Sequence, residues 1–172
     1  MFLFGKPLLR ILGQTALLSV SAVVFMSCAG VTYPKHGKNT VNISFVMEGV
    51  PRRLSEYRGK PVMLVLMRTS EVVSQIYMSR LKEAIETSPP KANLIVLTVE
   101  PSESPFVEEY QELEKLPFPI GVAEPGLVQG ESAFGLISGI PFTYFIDANG
   151  IIVSSQPGVI ETDDLLKMMK KW

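Results

Sequence analysis

The 172-residue sequence contains one cysteine, Cys28, and one histidine, His36. A single cysteine excludes both an internal disulfide and a Cys-x-x-Cys redox centre. A single histidine excludes a multi-histidine metal site. Because His36 precedes the folded region, a Ser-His-Asp triad within the domain is also excluded. We therefore predict no metal and no cofactor. The remaining candidate catalytic groups are carboxylates, hydroxyls, lysines and backbone amides.

The chain also lacks a strong charge of either sign. It has 16 lysines and arginines against 17 aspartates and glutamates, a formal net charge of −1. A basic surface is the usual electrostatic mark of nucleic-acid binding, so we do not expect nucleic acid as a partner.

Residues 1–28 are typical of an export signal. Lys6 and Arg10 form a positive start, and residues 11–26 form an apolar run that is short for a span of about 20 apolar residues. The run ends at Cys28, and this resembles the bacterial lipoprotein signal. The resemblance implies a signal peptide at 1–27 and a lipid on Cys28 that anchors the chain to a membrane. An uncleaved anchor helix and an ordinary cleaved signal are alternatives, and all three predict export to the cell envelope.

A tether precedes the predicted domain. Residues 28–40 are small and polar, are broken by Pro34 and Gly37, and include His36. The periodic pattern then begins, so we place one domain at 41–172.

Hydrophobic periodicity predicts a mixed α/β domain. Continuous apolar runs indicate buried strands, and apolar residues three and four apart indicate helices. On the first helix, apolar residues recur at this spacing at Val73, Ile76, Tyr77, Leu81, Ala84 and Ile85. The aromatic residues Phe118, Phe142, Tyr144 and Phe145 are expected in the core. Strands are predicted at 41–47, 62–67, 93–99, 120–123, 142–147 and 151–155, with a hairpin turn at Asn149-Gly150, and helices at 70–87 (capped by Ser70), 104–116, 130–136 and 161–171 (capped by Thr162).

This order, together with two segments, resembles the thioredoxin fold. Residues 54–61 (LSEYRGKP) and 134–153 (FGLISGIPFTYFIDANGIIV) are similar to membrane-anchored thiol–disulfide oxidoreductases, which are close to the alkyl hydroperoxide reductases, or redoxins. The resemblance covers about 41–172. It implies a thioredoxin-like fold, with a central mixed β-sheet flanked by helices and an N-terminal strand extension.

The departure from that family lies at its redox centre. Aligning Thr69 with the family's threonine places Glu71 and Ser74 at the two cysteine positions. Disulfide exchange needs an attacking thiolate and a resolving thiol, and neither residue has a sulfur atom. We therefore predict no catalytic residues and treat Glu71 and Ser74 as degenerate active-site positions.

Glu71 would lie at a helix N-terminus. There its carboxylate is expected to accept hydrogen bonds from free backbone N–H groups, which lowers the suitability of Glu71 as a base. Binding a cationic partner group and general-base catalysis are alternatives, and Arg68 could pair with Glu71. Ser74 is interpreted as a polar substitute for a half-buried thiol.

A binding surface is the remaining candidate. By the resemblance, Ile140-Pro141 corresponds to the family's cis-proline, whose neighbouring backbone pairs with an extended substrate segment. Gly139, Ile140 and Pro141, with Val72 and Val73 opposite, would then form an apolar peptide-binding groove. The alternative is that Pro141 only shapes the core.

These observations favour a binding or scaffolding module whose partner is an envelope protein or an extended peptide. One alternative is an oxidoreductase-family protein whose activity is lost or uses non-thiol residues such as Glu71 or Arg68. A structural lipoprotein without a specific groove is another. The sequence leaves open whether the protein is an enzyme, and it favours a protein without enzymatic activity.

Overall fold

The computed structural model describes residues 39–100, 106–130, 132–137 and 139–171. The predicted signal peptide (1–27), the predicted lipidation site Cys28 and most of the predicted tether, including His36, lie outside the described residues. Within the described part of the chain, no helix is both long and apolar enough to cross a membrane.

Seven strands and three α-helices make up the described domain. In chain order they are β1 (Ser44–Met47), β2 (Val50–Arg53), β3 (Val62–Met67), α1 (Val72–Thr87), β4 (Asn93–Thr98), α2 (Phe106–Glu114), β5 (Ile120–Ala123), β6 (Phe142–Ile146), β7 (Ile152–Pro157) and α3 (Thr162–Lys171).

The strands form one mixed sheet in the order β2-β1-β5-β4-β3-β6-β7. Strands β3, β4 and β5 are parallel, and antiparallel hairpins form both edges. The β1–β2 hairpin joins the sheet through antiparallel pairing of β1 with β5. The predicted mixed sheet, with helices against it and a strand extension at its N-terminal side, is confirmed.

Strand β2 was missed by the sequence analysis. All four of its residues are exposed and one is Pro51, so the apolar alternation that marks a strand is absent. A tight turn joins β1 to β2, and its residues Glu48 and Gly49 both have positive φ angles, 50° and 74°. Such a turn matches the twist of a two-stranded hairpin, and it therefore sets the pairing of β2.

The two faces of the sheet bury separate clusters because side chains alternate along each strand. Along β3, whose six residues are all buried, Leu64 and Leu66 join one cluster, whereas Met63, Val65 and Met67 join the other. The second cluster includes residues of all three helices. The predicted aromatic core residues Phe118, Phe142, Tyr144 and Phe145 are all buried, as expected.

The helix predicted at 130–136 is wrong. The described residues of that range form turns and an isolated bridge between Gln129 and Leu136. Gly130 and Gly135 have φ angles of 88° and 70°, in the left-handed region that a right-handed helix cannot include. Phe134, beside Gly135, is buried in the cluster on the sheet face opposite the helices.

The predicted turn at Asn149-Gly150 lies in the loop between β6 and β7. Asp147 organises this loop: its Oδ1 accepts hydrogen bonds from the backbone N–H groups of Asn149 (2.9 Å) and Ile151 (2.8 Å). These bonds lower the pKa of Asp147, although burial opposes the shift. At the last helix, the predicted cap Thr162 is instead the first helical residue, and its hydroxyl donates to Glu83.

Candidate functional site

The candidate site forms where β3 ends and α1 begins. Residues 68–71, here called the site turn, join the carboxyl end of β3 to the first residue of α1, Val72. Strand β4 lies parallel to β3 with Met67 opposite Thr98, so the chain after β4 reaches the same edge of the sheet. Ligand sites of open α/β sheets lie at this edge because successive parallel strands deliver their loops there.

Glu71 does not cap α1 in the predicted way. It occupies the N-cap position with an extended backbone, and its side chain makes no capping hydrogen bond. Instead, Arg68 Nη1 donates to Glu71 Oε1 at 2.8 Å, and the two side chains are 40% and 37% exposed. The expected Arg68–Glu71 pair is therefore present, whereas the expected bonds from helix N–H groups are not. The guanidinium holds the carboxylate, so Glu71 is engaged within the site turn.

Ser70 is not the helix cap either, because α1 begins two residues later, at Val72. Its backbone N–H donates to Glu100 Oε1 at 2.8 Å. Ser74 is fully buried rather than half-buried, and its Oγ accepts a 3.2 Å hydrogen bond from the backbone N–H of Arg68. The hydroxyl thus ties α1 to the end of β3 and has no exposure to solvent.

Glu100, a residue that the sequence analysis missed, is the hydrogen-bonding centre of the site. Its Oε2 accepts bonds from the Thr69 N–H (3.1 Å), the Thr69 hydroxyl and the Thr98 hydroxyl (3.0 Å). With the bond from Ser70 to Oε1, the carboxylate holds two consecutive residues of the site turn. The chain after β4 thereby fixes the loop after β3.

These hydrogen bonds control the ionisation of Glu100. Burial alone would raise the pKa of the carboxyl group, but the bonds from Ser70 and Thr69 outweigh burial and lower its pKa to about 2. A general base that works near neutral pH needs a much higher pKa. Glu100 is therefore suited to holding the turn and is a poor proton acceptor.

A sequence signal for Glu100 did exist. It is the first charged residue after the buried strand β4, and it follows the carboxyl end of a parallel strand. Its contacts with Thr69 depend on which strand lies beside β4, and periodicity alone does not give that information.

The residues of the predicted groove lie on two segments. Val72 and Val73 are 66% and 50% exposed at the start of α1. The Ile140–Pro141 peptide bond is cis, as the resemblance implies, and Ile140 is half-buried. Gly139 is exposed and Pro141 is buried. Binding of a peptide at these five residues stays a prediction.

The buried face of α1 differs from the predicted one. Val73 and Ile76, two residues of the predicted apolar pattern, are 50% and 46% exposed, whereas Tyr77 and Leu81 of the same pattern are buried. The true buried stripe runs through Ser74, Tyr77, Met78, Leu81 and Ala84. The predicted and observed faces differ partly because Ser74 is buried. A search for apolar periodicity does not count a serine.

No group of three His, Cys, Asp or Glu side chains in the described ranges is arranged to hold a metal ion. The site turn provides an ion pair, Glu100 adds a hydrogen-bonded carboxylate, and Val72 and Val73 are exposed at the start of α1. This arrangement offers contact surfaces and no sulfur nucleophile at position 71 or 74.

Several solved structures are similar to this chain. The putative protein disulfide isomerase of Bacteroides thetaiotaomicron is 22% identical with a TM-score of 0.64, and the match covers 80% of this chain and 89% of that one. The thioredoxin domain of a thiol-disulfide oxidoreductase from Bacteroides vulgatus is 17% identical with a TM-score of 0.64, covering 80% and 96%. The exposed lipoprotein thioredoxin of Streptococcus pneumoniae is 20% identical with a TM-score of 0.57, covering 76% and 99%.

At these identities the structures establish the fold, and the predicted thioredoxin-like α/β fold is confirmed. No curated protein sequence matches the chain significantly. The family model of AhpC/TSA matches residues 39–155, which include β1 to β6 and the site turn. The predicted relation to the redoxins is thus confirmed, and the chain belongs to the AhpC/TSA family.

Proposed function

We propose that this chain is an exported, lipid-anchored thioredoxin-fold protein that binds another envelope protein and does not exchange disulfides. The observation that carries the proposal is that positions 71 and 74, which the resemblance aligns with the family's two thiols, are glutamate and serine. Both replacements are integrated into the structure, Glu71 through Arg68 and Ser74 through the backbone of the same residue.

The site has no cysteine sulfur at position 71 or 74 to act as a nucleophile. Disulfide exchange begins with attack by a thiolate, and thiol-based peroxide reduction likewise needs a reactive cysteine. The one cysteine of the chain, Cys28, lies outside the matched family region. The full-length protein is expected to reduce neither insulin disulfides nor peroxide above the level of a Cys28→Ala variant. Clearly greater activity than that variant would contradict the proposal.

The proposed contact surface is the groove of Val72, Val73, Gly139, Ile140 and Pro141. An extended peptide can pair with exposed backbone while its side chains enter apolar pockets. Exposure of Val72 and Val73 supports this role, because large apolar side chains at a site edge gain free energy when a partner covers them.

Photo-crosslinking tests the groove directly. A photoreactive amino acid is placed at Val72 or Ile140 in the native host, with Val153 as the control because it is an exposed apolar residue of β7. The proposal predicts one recurrent protein adduct from the two groove positions, identified by mass spectrometry, and none from Val153. The same adducts from all three positions would favour a structural lipoprotein without a specific groove.

Export and lipidation rest on the N-terminal sequence. One neighbour in structure is described as an exposed lipoprotein thioredoxin, which supports the same location for this chain. Cell fractionation is expected to place the protein in the membrane fraction, and mass spectrometry to find acyl chains on Cys28. The Cys28→Ala variant should lose the acyl chains. An unmodified cysteine in a cleaved protein would contradict lipidation.

A further inference from the structure

A second surface next to the site turn has the features of a binding pocket. It is an open cavity of about 440 Å³ between Thr69 and Ser70 of the site turn and the helix α2. We call it the α2 pocket. None of its lining residues belongs to the groove of the proposed function, so the two surfaces can be tested independently.

The α2 side of the pocket is an apolar stripe whose two ends are exposed. Phe106, Tyr110 and Leu113 are spaced at i, i+4 and i+7, which places them on one face of the helix. Phe106 is 63% and Leu113 is 74% exposed. Tyr110, between these two residues, is partly buried against the core cluster on the helix side of the sheet, and Val107 is the buried residue of α2.

The charge at the pocket is negative and unpaired. Helix α2 contains four glutamates and no basic residue, and Glu109 lines the pocket. Among the described residues Glu109 takes part in no salt bridge. An exposed carboxylate beside apolar surface is complementary to a side chain that is aliphatic along its stem and cationic at its end.

The opposite wall is uncharged, and its backbone N–H groups are already hydrogen-bonded. Glu100 accepts the backbone N–H groups of Thr69 and Ser70. Gln75 Nε2 donates to the Thr69 carbonyl oxygen at 2.7 Å. The backbone N–H groups of Thr69 and Ser70 are thus engaged, and no lining residue is cationic, so the wall offers an anionic ligand no opposite charge.

We propose that the α2 pocket binds a lysine or arginine side chain of another protein, presented next to an apolar residue. The aliphatic stem would pack on Tyr110 and Leu113, and the cationic end would pair with Glu109. The ring faces of Phe106 and Tyr110 also attract a nearby cation. This inference goes beyond the proposed function, and it does not require that the groove at Ile140-Pro141 binds a peptide.

The test uses defined peptides and the full-length protein in detergent. Three fluorescent eight-residue peptides each contain two leucines and differ only in two positions, which are lysine, glutamine or glutamate. Fluorescence anisotropy measures the Kd of each peptide for the wild type, Glu109→Gln and Leu113→Ala. Glu86→Gln is the matched control, since Glu86 is an exposed glutamate of α1 that does not line the pocket.

We expect the lysine peptide to bind about threefold more tightly than the glutamine peptide, the typical size of an exposed ion pair. Glu109→Gln should remove that difference, Glu86→Gln should keep it, and Leu113→Ala should weaken both peptides. Equal binding of the lysine and glutamate peptides to the wild type would overturn the proposal. So would equal effects of Glu109→Gln and Glu86→Gln. Failure of the proposed function would instead be seen as missing crosslinks at Val72 and Ile140.

Discussion

At the residue scale, Glu100 determines the conformation of the site turn. Its carboxylate accepts hydrogen bonds from three residues, Thr69, Ser70 and Thr98, that belong to two neighbouring strand ends. A carboxylate suits this role because it is acceptor-only and has two oxygens for several donors. The charged form is the one that these bonds stabilise.

Replacing Glu100 tests this role. In Glu100→Gln, an NH2 group replaces one of the two carboxylate oxygens. This group is a donor and faces N–H and hydroxyl groups of Thr69 and Ser70 that are also donors, so several bonds are lost. The carboxylate is partly exposed and solvent screens it, and we therefore expect a destabilisation of about 1–2 kcal/mol. Urea denaturation measures the free energy of unfolding. Glu86→Gln, which removes an exposed charge on α1, should change it by less than about 0.5 kcal/mol.

The low pKa of Glu100 also predicts a pH dependence. The folded pKa is about 2 against an ordinary value of 4.5, so the folded protein holds the charged form more strongly than the unfolded chain does. The stabilisation is complete above pH 4.5 and is lost as the pH falls from 4.5 towards 2. The urea midpoint of the wild type should therefore fall more steeply in that range than the midpoint of Glu100→Gln. Parallel curves for the two proteins would contradict the assignment.

At the element scale, the close approach of β5 to its neighbours depends on Gly121. A Cβ at this position would lie 2.8 Å from both Leu97 Cδ2 and the Val46 carbonyl oxygen. The backbone oxygen belongs to β1, which pairs with β5 at this point. The absence of a side chain thus lets the N-terminal hairpin lie against the parallel strands.

Gly121→Ala is expected to destabilise the protein by about 1–3 kcal/mol, because strand β1 must shift to accept the added methyl group. Thermal denaturation followed by circular dichroism measures the change. Gly139→Ala is the comparison, since a Cβ there would meet no atom within 4 Å. A loss of stability at position 139 as large as that at 121 would rule out this steric explanation.

Elements with strong periodicity were predictable, and the faces they expose were less so. The strand at Val62–Met67 was predicted at its true bounds because six apolar residues between turn residues indicate burial on both sides. On α1 and α2 the apolar residues exceed what the sheet covers, so Val73, Ile76 and Leu113 remain exposed. Composition does not reveal which of two apolar stripes a sheet will bury.

At the scale of the whole molecule, the fold is thioredoxin-like, and positions 71 and 74 carry a carboxylate and a hydroxyl. The double substitution Glu71→Cys with Ser74→Cys, in a Cys28→Ala background, tests whether thiols at these positions are active in this fold. Position 71 is partly exposed just before α1 and position 74 is buried one turn later, an arrangement that suits an attacking and a resolving thiol. We expect the double variant to reduce insulin disulfides in the presence of dithiothreitol faster than the background protein. Each single variant should show no such gain, because resolution of the mixed disulfide needs both thiols.

The sequence by itself determined most of the strands and helices, the absence of a cysteine at positions 71 and 74 and the resemblance to the family. These features depend on local composition, periodicity and motifs, which act over a few residues. Only the tertiary structure placed Glu100 on Thr69, 31 residues away, paired the polar strand β2 with β1 and left the two ends of the stripe on α2 exposed. Such contacts depend on which strands lie side by side and on how much surface they cover. Both are set by packing of the whole domain, since distant residues meet only when the complete sheet has formed.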